Sequence, residues 1–130
     1  MVVDTSAIIA ILNAEPEAQA FVATLAGASA CRISAASFVE AGLVARRDPT
    51  GAWRQALEQL VTDYAIQIDQ VTEHQARIAL DAYDRFGKGS GHPAGLNYGD
   101  CFSYALASDT GEPLLFKGDD FAATDVVPAC

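Results

Sequence analysis

The sequence is short of cysteine, of basic side chains and of long apolar runs, and each shortage removes a class of protein. Its three cysteines, Cys31, Cys101 and Cys130, stand far apart. An odd, sparse set builds no disulfide framework and predicts a reducing, cytoplasmic setting. No Cys/His spacing matches a zinc site. No apolar run approaches the roughly 20 residues a membrane helix needs, so no membrane association is expected. The opening Met-Val-Val-Asp has no basic region leading into an apolar stretch, which predicts no secretory signal. The glycines from Gly87 to Gly95 lack the Gly-Lys-Ser/Thr ending of a phosphate loop. Ser6, Ser37 and Ser103 have no histidine at a readable spacing, so a hydrolase triad has little support. His74 reads as an exposed helix residue and His92, beside Pro93, as a loop residue.

Basic residues are the most telling shortage. Eight Lys and Arg face 17 Asp and Glu, a net charge of -9. Alone, that balance speaks against nucleic acid, because phosphate binding is driven by Lys and Arg. It favours a cation, or a basic segment of a partner protein. Arg46, Arg47, Lys88 and Lys117 are the candidates for guiding a polyanion, and bound divalent cations would reverse the local field.

What is present suits one globular domain. The chain has 130 residues, enough for one core and short for two. Apolar and charged residues alternate in blocks that read as strands at 1–4, 31–34, 66–71 and 113–116. Helices are expected at 5–12, 16–26, 35–47, 52–64, 73–86 and 97–108. Asp48-Pro49-Thr50-Gly51 is a turn, and the Gly87–Gly95 loop is either a substrate-side flap or a plain connector. Val126-Val127 is a candidate edge strand. Strands alternating with helices imply an α/β fold: a mainly parallel sheet flanked by helices on both faces. In such folds the ligand site lies beyond the carboxyl ends of the strands, where Asp4 and Asp119 would both sit.

Three acids stand in apolar surroundings. Asp4 follows Val2-Val3. Glu40 is the only charge between Ser34 and Ala45, and Asp100 the only one between Leu96 and Ala107. No Lys or Arg on the same helix is spaced to pair with Glu40 or Asp100. An unpaired buried carboxylate is costly, whereas a cluster can share a hard cation that takes oxygen ligands. Each acid also has a structural reading. Asp4 suits an N-cap of the helix at Thr5, and Asp100 the third helical position after an Asn97 cap. Glu40 suits the edge of a solvated face. Asp119-Asp120 and Asp125, taken singly, read as turn residues.

These segments together resemble the PIN-domain ribonucleases, specifically the VapC-type toxins of bacterial toxin–antitoxin pairs. The carriers are Val2-Val3-Asp4-Thr5-Ser6-Ala7, Ser34 through Glu40, Leu96-Asn-Tyr-Gly-Asp-Cys-Phe-Ser-Tyr-Ala105, and Pro113 through Phe121 followed by Thr124-Asp125. The resemblance spans essentially the whole chain. It implies a Mg²⁺- or Mn²⁺-dependent endoribonuclease, a homodimer, and inhibition by a cognate antitoxin. Asp4, Glu40 and Asp100 match the three central family acids. Asp4 and Asp100 are then the direct metal ligands, with Glu40 completing the site or holding its water. The family's fourth acid lies three residues before the phenylalanine, where this chain has Gly118. Asp119 or Asp120 must substitute, and Asp119 is preferred. An antitoxin helix is expected between the helices at 16–26 and 52–64.

Other classes fit less well. An aspartyl-phosphate phosphatase needs a second acid two residues after the first, and position 6 is Ser6. A receiver-like domain wants an acidic pair near the first strand and a lysine after the last. Lys117 suits the second requirement, but the pair is missing. A non-catalytic PIN-fold interaction module is the remaining alternative, and the three retained acids argue against it.

Overall fold

The computed structural model describes residues 1–130. Its elements run β1 (Val2–Val3), α1 (Thr5–Leu12), α2 (Ala18–Gly27), β2 (Arg32–Ser34) and α3 (Ala35–Ala45). They continue with α4 (Ala52–Asp63), β3 (Gln67–Asp69), α5 (Glu73–Phe86), α6 (Tyr98–Thr110) and β4 (Leu114–Leu115). The strands form one parallel sheet in the order β3-β2-β1-β4. The expected α/β architecture is therefore the observed one.

Side-chain alternation along the strands divides the core in two. Val2 pairs with Leu114 and Val3 with Leu115. Successive residues of a strand point to opposite faces. Val2 and Leu114 accordingly join α5 and α6 residues such as Ala82, Phe86, Tyr104 and Leu106. Val3 and Leu115 join Ile8 of α1, Phe21 and Leu25 of α2, Ala41 of α3 and Leu57 of α4. Helices thus cover both faces, which is why the strands carry no polar face at their centre.

The helix boundaries have local causes. Thr72 caps α5, its hydroxyl accepting from the Gln75 N–H at 3.1 Å. Glu73 in the first turn and Arg85 in the last both suit the helix dipole. At the end of α6, Gly111 takes a φ of +65°, the left-handed conformation in which a helix commonly stops.

Two segments differ from the expectation. Val126-Val127 does not form a strand. The Leu114 N–H donates to the Val127 carbonyl at 2.8 Å and the Ala129 N–H to the Leu114 carbonyl at 2.9 Å. These make a single bridge at Pro128. The glycine-rich loop is closed at its base, where Leu96 N–H meets the Phe86 carbonyl at 2.8 Å and Lys88 N–H the Leu96 carbonyl at 2.9 Å. Ala94 and Leu96 are buried, and the His92 ring sits edge-on to Phe86 at 4.9 Å. The two ends of the loop, at Gly87 and Ala94, are packed beside α5, while its tip from Lys88 to Gly91 is exposed.

Leu57 is the fully buried anchor of α4, whose outer surface is polar. Leu57→Ala is expected to lower stability by about 2–5 kcal/mol, read from urea unfolding. A loss under 1 kcal/mol would mean that α4 is not held by this contact.

Candidate active site

Asp4 ends β1 and caps α1. Its Oδ2 accepts from the Ser6 N–H at 2.8 Å and from the Ser6 hydroxyl at 2.6 Å. The Ser6 hydroxyl accepts in turn from the Lys117 N–H at 3.0 Å, tying the chain after β4 to the first carboxylate. Both side-chain bonds to Asp4 use one oxygen, so the cap orients the other. Asp4 is 3% exposed, and the chain provides it with no cationic partner.

Asp100 stands in the first turn of α6 within a capping box. Its Oδ2 accepts from the Asn97 N–H at 2.9 Å, while Asn97 Oδ1 accepts from the Asp100 N–H at 3.0 Å. For Asp4 and Asp100, then, the structural reading and the functional one describe the same side chain. A carboxylate has two oxygens, and the cap occupies one.

Glu40 reaches in from the middle of α3. The Thr5 hydroxyl donates to the Ser37 carbonyl at 3.0 Å and lies 3.3 Å from Glu40 Oε2. Ser37 and Ser103, both buried, share a hydroxyl–hydroxyl bond of 3.0 Å that joins α3 to α6. A chain of hydroxyls therefore links the three helices that follow or carry the acids.

Asp4, Glu40 and Asp100 line one cleft, together with Asp120. Asp119, the residue preferred from sequence, is exposed and outside this lining. Gly118 takes a φ of +95°. The turn it makes puts Asp120 in the cleft wall and leaves Asp119 beyond it. No pattern in the sequence separates two adjacent aspartates after a glycine; only the backbone turn does.

Of the four basic candidates, Arg47 and Lys117 line the cleft, and Arg46 and Lys88 do not. Lys117 is held by Glu15 and, at 3.1 Å, by Glu17, and these pairings raise its pKa. His92 and the 87–95 loop do not border the cleft.

Burial pushes the Asp100 carboxyl up to about 6, opposed by the Asn97 N–H and reinforced by the charges of Asp4, Asp120 and Glu40. Glu40 is raised as well, first by burial and then by Asp4, against the Thr5 hydroxyl. The site is a pocket of mutually repelling carboxylates. As the side chains stand, no three acidic, His or Cys groups are placed to hold one ion. The chemistry of the donor set nevertheless suits a hard divalent cation: it contains carboxylate oxygens and neither imidazole nor thiolate.

This fold and this cleft define a class. Residues 1–127 match the model of the PIN domain. The chain belongs to the PIN-domain family. Among its relatives, ribonuclease VapC28 of Mycobacterium tuberculosis is 55% identical over 128 residues, covering 97% of this chain and 95% of the relative. Ribonuclease VapC42 of the same species is 48% identical over 130 residues, covering 100% and 99%. Among solved structures, M. tuberculosis VapC20, described as a sarcin-ricin loop cleaving toxin, superposes with a TM-score of 0.77 at 18% identity over 97% of this chain and 95% of that one. A toxin–antitoxin complex from Klebsiella pneumoniae superposes with a TM-score of 0.73 at 18% identity over 99% and 97%.

The raised Asp100 pKa makes a signed prediction. Between its ordinary value near 4 and about 6, the folded protein binds a proton that the unfolded chain does not. Stability of the metal-free protein should therefore rise as pH falls from about 6 towards 4, before general acid unfolding sets in. Asp100→Asn should remove much of that slope and raise the melting temperature at pH 7 in EDTA. A variant with an unchanged slope and a lower melting temperature would show that Asp100 is not charged at a cost.

Proposed function

We propose that this protein is a metal-dependent endoribonuclease, the toxin of a type II toxin–antitoxin pair. The observation that carries the reading is the gathering of Asp4, Glu40, Asp100 and Asp120 in one cleft, none of them in a salt bridge. The names of the relatives, VapC ribonucleases, point the same way. Asp4 and Asp100 would hold Mg²⁺ or Mn²⁺ through the oxygens their caps leave available, with Glu40 and Asp120 completing the donor set. Such an ion, when bound, activates water and stabilises negative charge on phosphoryl oxygens. The chain's own residues do the rest. The caps hold two carboxylates rigid, Thr5 steadies Glu40, and Arg47 offers charge to the RNA backbone.

Asp4→Ala and Asp100→Ala should each abolish cleavage of total bacterial RNA, as EDTA should with the unaltered protein, while circular dichroism shows the fold retained. Arg47→Ala should raise KM several-fold and reduce the salt dependence of RNA binding by about one charge, whereas Lys117→Ala, whose charge Glu15 and Glu17 already match, should change that dependence less. Full cleavage by Asp100→Ala would defeat the assignment.

We also assign the partners. An antitoxin would meet a cleft whose charge suits an inserted arginine. A second copy of the chain would cover the apolar face beside it. Val39 and Leu43 on α3, Tyr98 on α6 and Leu80 on α5 are 58–79% exposed. They lie along two adjoining grooves that share Tyr98 and Phe102. Monomers rarely expose so continuous an apolar surface, and a two-fold axis would pair the face with itself. Sedimentation should show a dimer, and Leu43→Asp with Leu80→Asp a monomer. A monomeric unaltered protein would remove the homodimer from this reading.

A further inference from the structure

We infer that Gly99 is a positioning residue: the space left by its missing side chain seats the Glu40 carboxylate against α6, one residue from Asp100. This rests on the ribonuclease reading for its effect on cleavage, but its geometric basis is separate. A glycine in the first turn of a helix costs stability relative to alanine. Nothing in the backbone requires one here, because Gly99 lies within α6 and is not among the glycines with positive φ. What requires it is Glu40. A Cβ at position 99 would stand 2.4 Å from Glu40 Oε2 and 2.9 Å from both Oε1 and Cδ.

The overlap cannot be relieved by parting the helices. The Ser37–Ser103 bond clamps α3 to α6, and the Thr5 hydroxyl holds the Ser37 carbonyl from α1. The part that can move is the end of the Glu40 side chain, which is long and flexible and not fully buried. Gly87 makes the contrast plain. A Cβ there would stand 2.4 Å from the Tyr83 carbonyl oxygen, a backbone atom inside α5 that cannot swing away. Alanine at 87 strains the fold, whereas alanine at 99 displaces one carboxylate.

The test separates these effects. In Gly99→Ala, thermal unfolding in EDTA should occur at or above the temperature of the unaltered protein. Cleavage kcat and calorimetric Mn²⁺ affinity should each fall by about 10-fold or more, the scale set by losing support for a ligand. KM for RNA should change less than about twofold. In a Glu40→Ala background the same substitution should leave Mn²⁺ affinity unchanged. Activity and Mn²⁺ affinity within about twofold of the unaltered protein would overturn the inference. So would a melting temperature that falls along with activity, or an equal loss of affinity in the Glu40→Ala background. An unaltered protein that cleaves no RNA would defeat the ribonuclease reading alone. The crystal structure of Gly99→Ala then decides the present point, and a Glu40 carboxylate still seated on α6 would overturn it.

Discussion

The constraint on which the site depends is the crowding of like charge. Four carboxylates without a basic partner share one cleft with Glu15, which is paired to Lys117, and burial and mutual repulsion together lift Asp100 to about 6. Charges held in this way destabilise a fold unless something compensates. Here the compensation is made of neutral donors. Ser6 and the backbone at Asn97 each give hydrogen bonds to one oxygen of an acid, and Thr5 approaches Glu40. Hydrogen bonds to a carboxylate are stronger than neutral ones, so a few suffice to hold each group in place. None of them cancels the charge. A lysine or arginine in their place would have stabilised the cleft by cancelling its charge.

The parallel sheet is the device that brings these acids together. β1 ends at Asp4, and β4 ends just before the segment that carries Lys117 and Asp120. Adjacent parallel strands deliver their carboxyl ends to the same edge, and helices beginning there present free N–H groups to the same edge. Asp4 is both the end of a strand and the cap of a helix, so the element that positions it is also the element it stabilises. Asp100 likewise braces the helix that carries it, closing the α6 capping box from the third helical position, although no strand leads into it. Glu40 does not, since it projects from the middle of α3. That difference explains why its placement relies on clearance at Gly99 and on a hydroxyl.

Much of this was legible in the sequence, and the reasons are physical. The strands and helices follow from apolar spacing, and α5 was expected at 73–86, where it lies. Asp4, Glu40 and Asp100 stood out because each is a lone charge in an apolar segment. Their caps were legible too, although capping and ligation looked like rival explanations when a carboxylate can do both. What could not be read was anything decided by backbone rotation or by distance between remote segments. The turn at Gly118 selects Asp120 over Asp119 for the cleft wall. The burial of Ala94 and Leu96 anchors the end of the glycine-rich segment in the core and leaves only its tip exposed. Gly99 looked like part of a motif, and its role emerges only when α3 and α6 are seen side by side.

The charge balance returns as the last question, because a net charge of -9 seems wrong for a protein that handles RNA. The distribution of the basic residues sharpens it. Arg32, Arg54, Arg77, Arg85 and Lys117 are all committed to carboxylates. Arg46, Arg47 and Lys88 are not, and of these only Arg47 borders the cleft. A polyanion approaching this cleft would meet one uncommitted cation, Arg47, against four unpaired acids. Electrostatic attraction by the protein's own side chains is therefore weak at this cleft, and on the metal-dependent reading proposed above it would come from ions bound by the acids. The acidity that argues against nucleic acid in a count of residues becomes, once it is localised, the reason that RNA and a divalent cation would enter the site together.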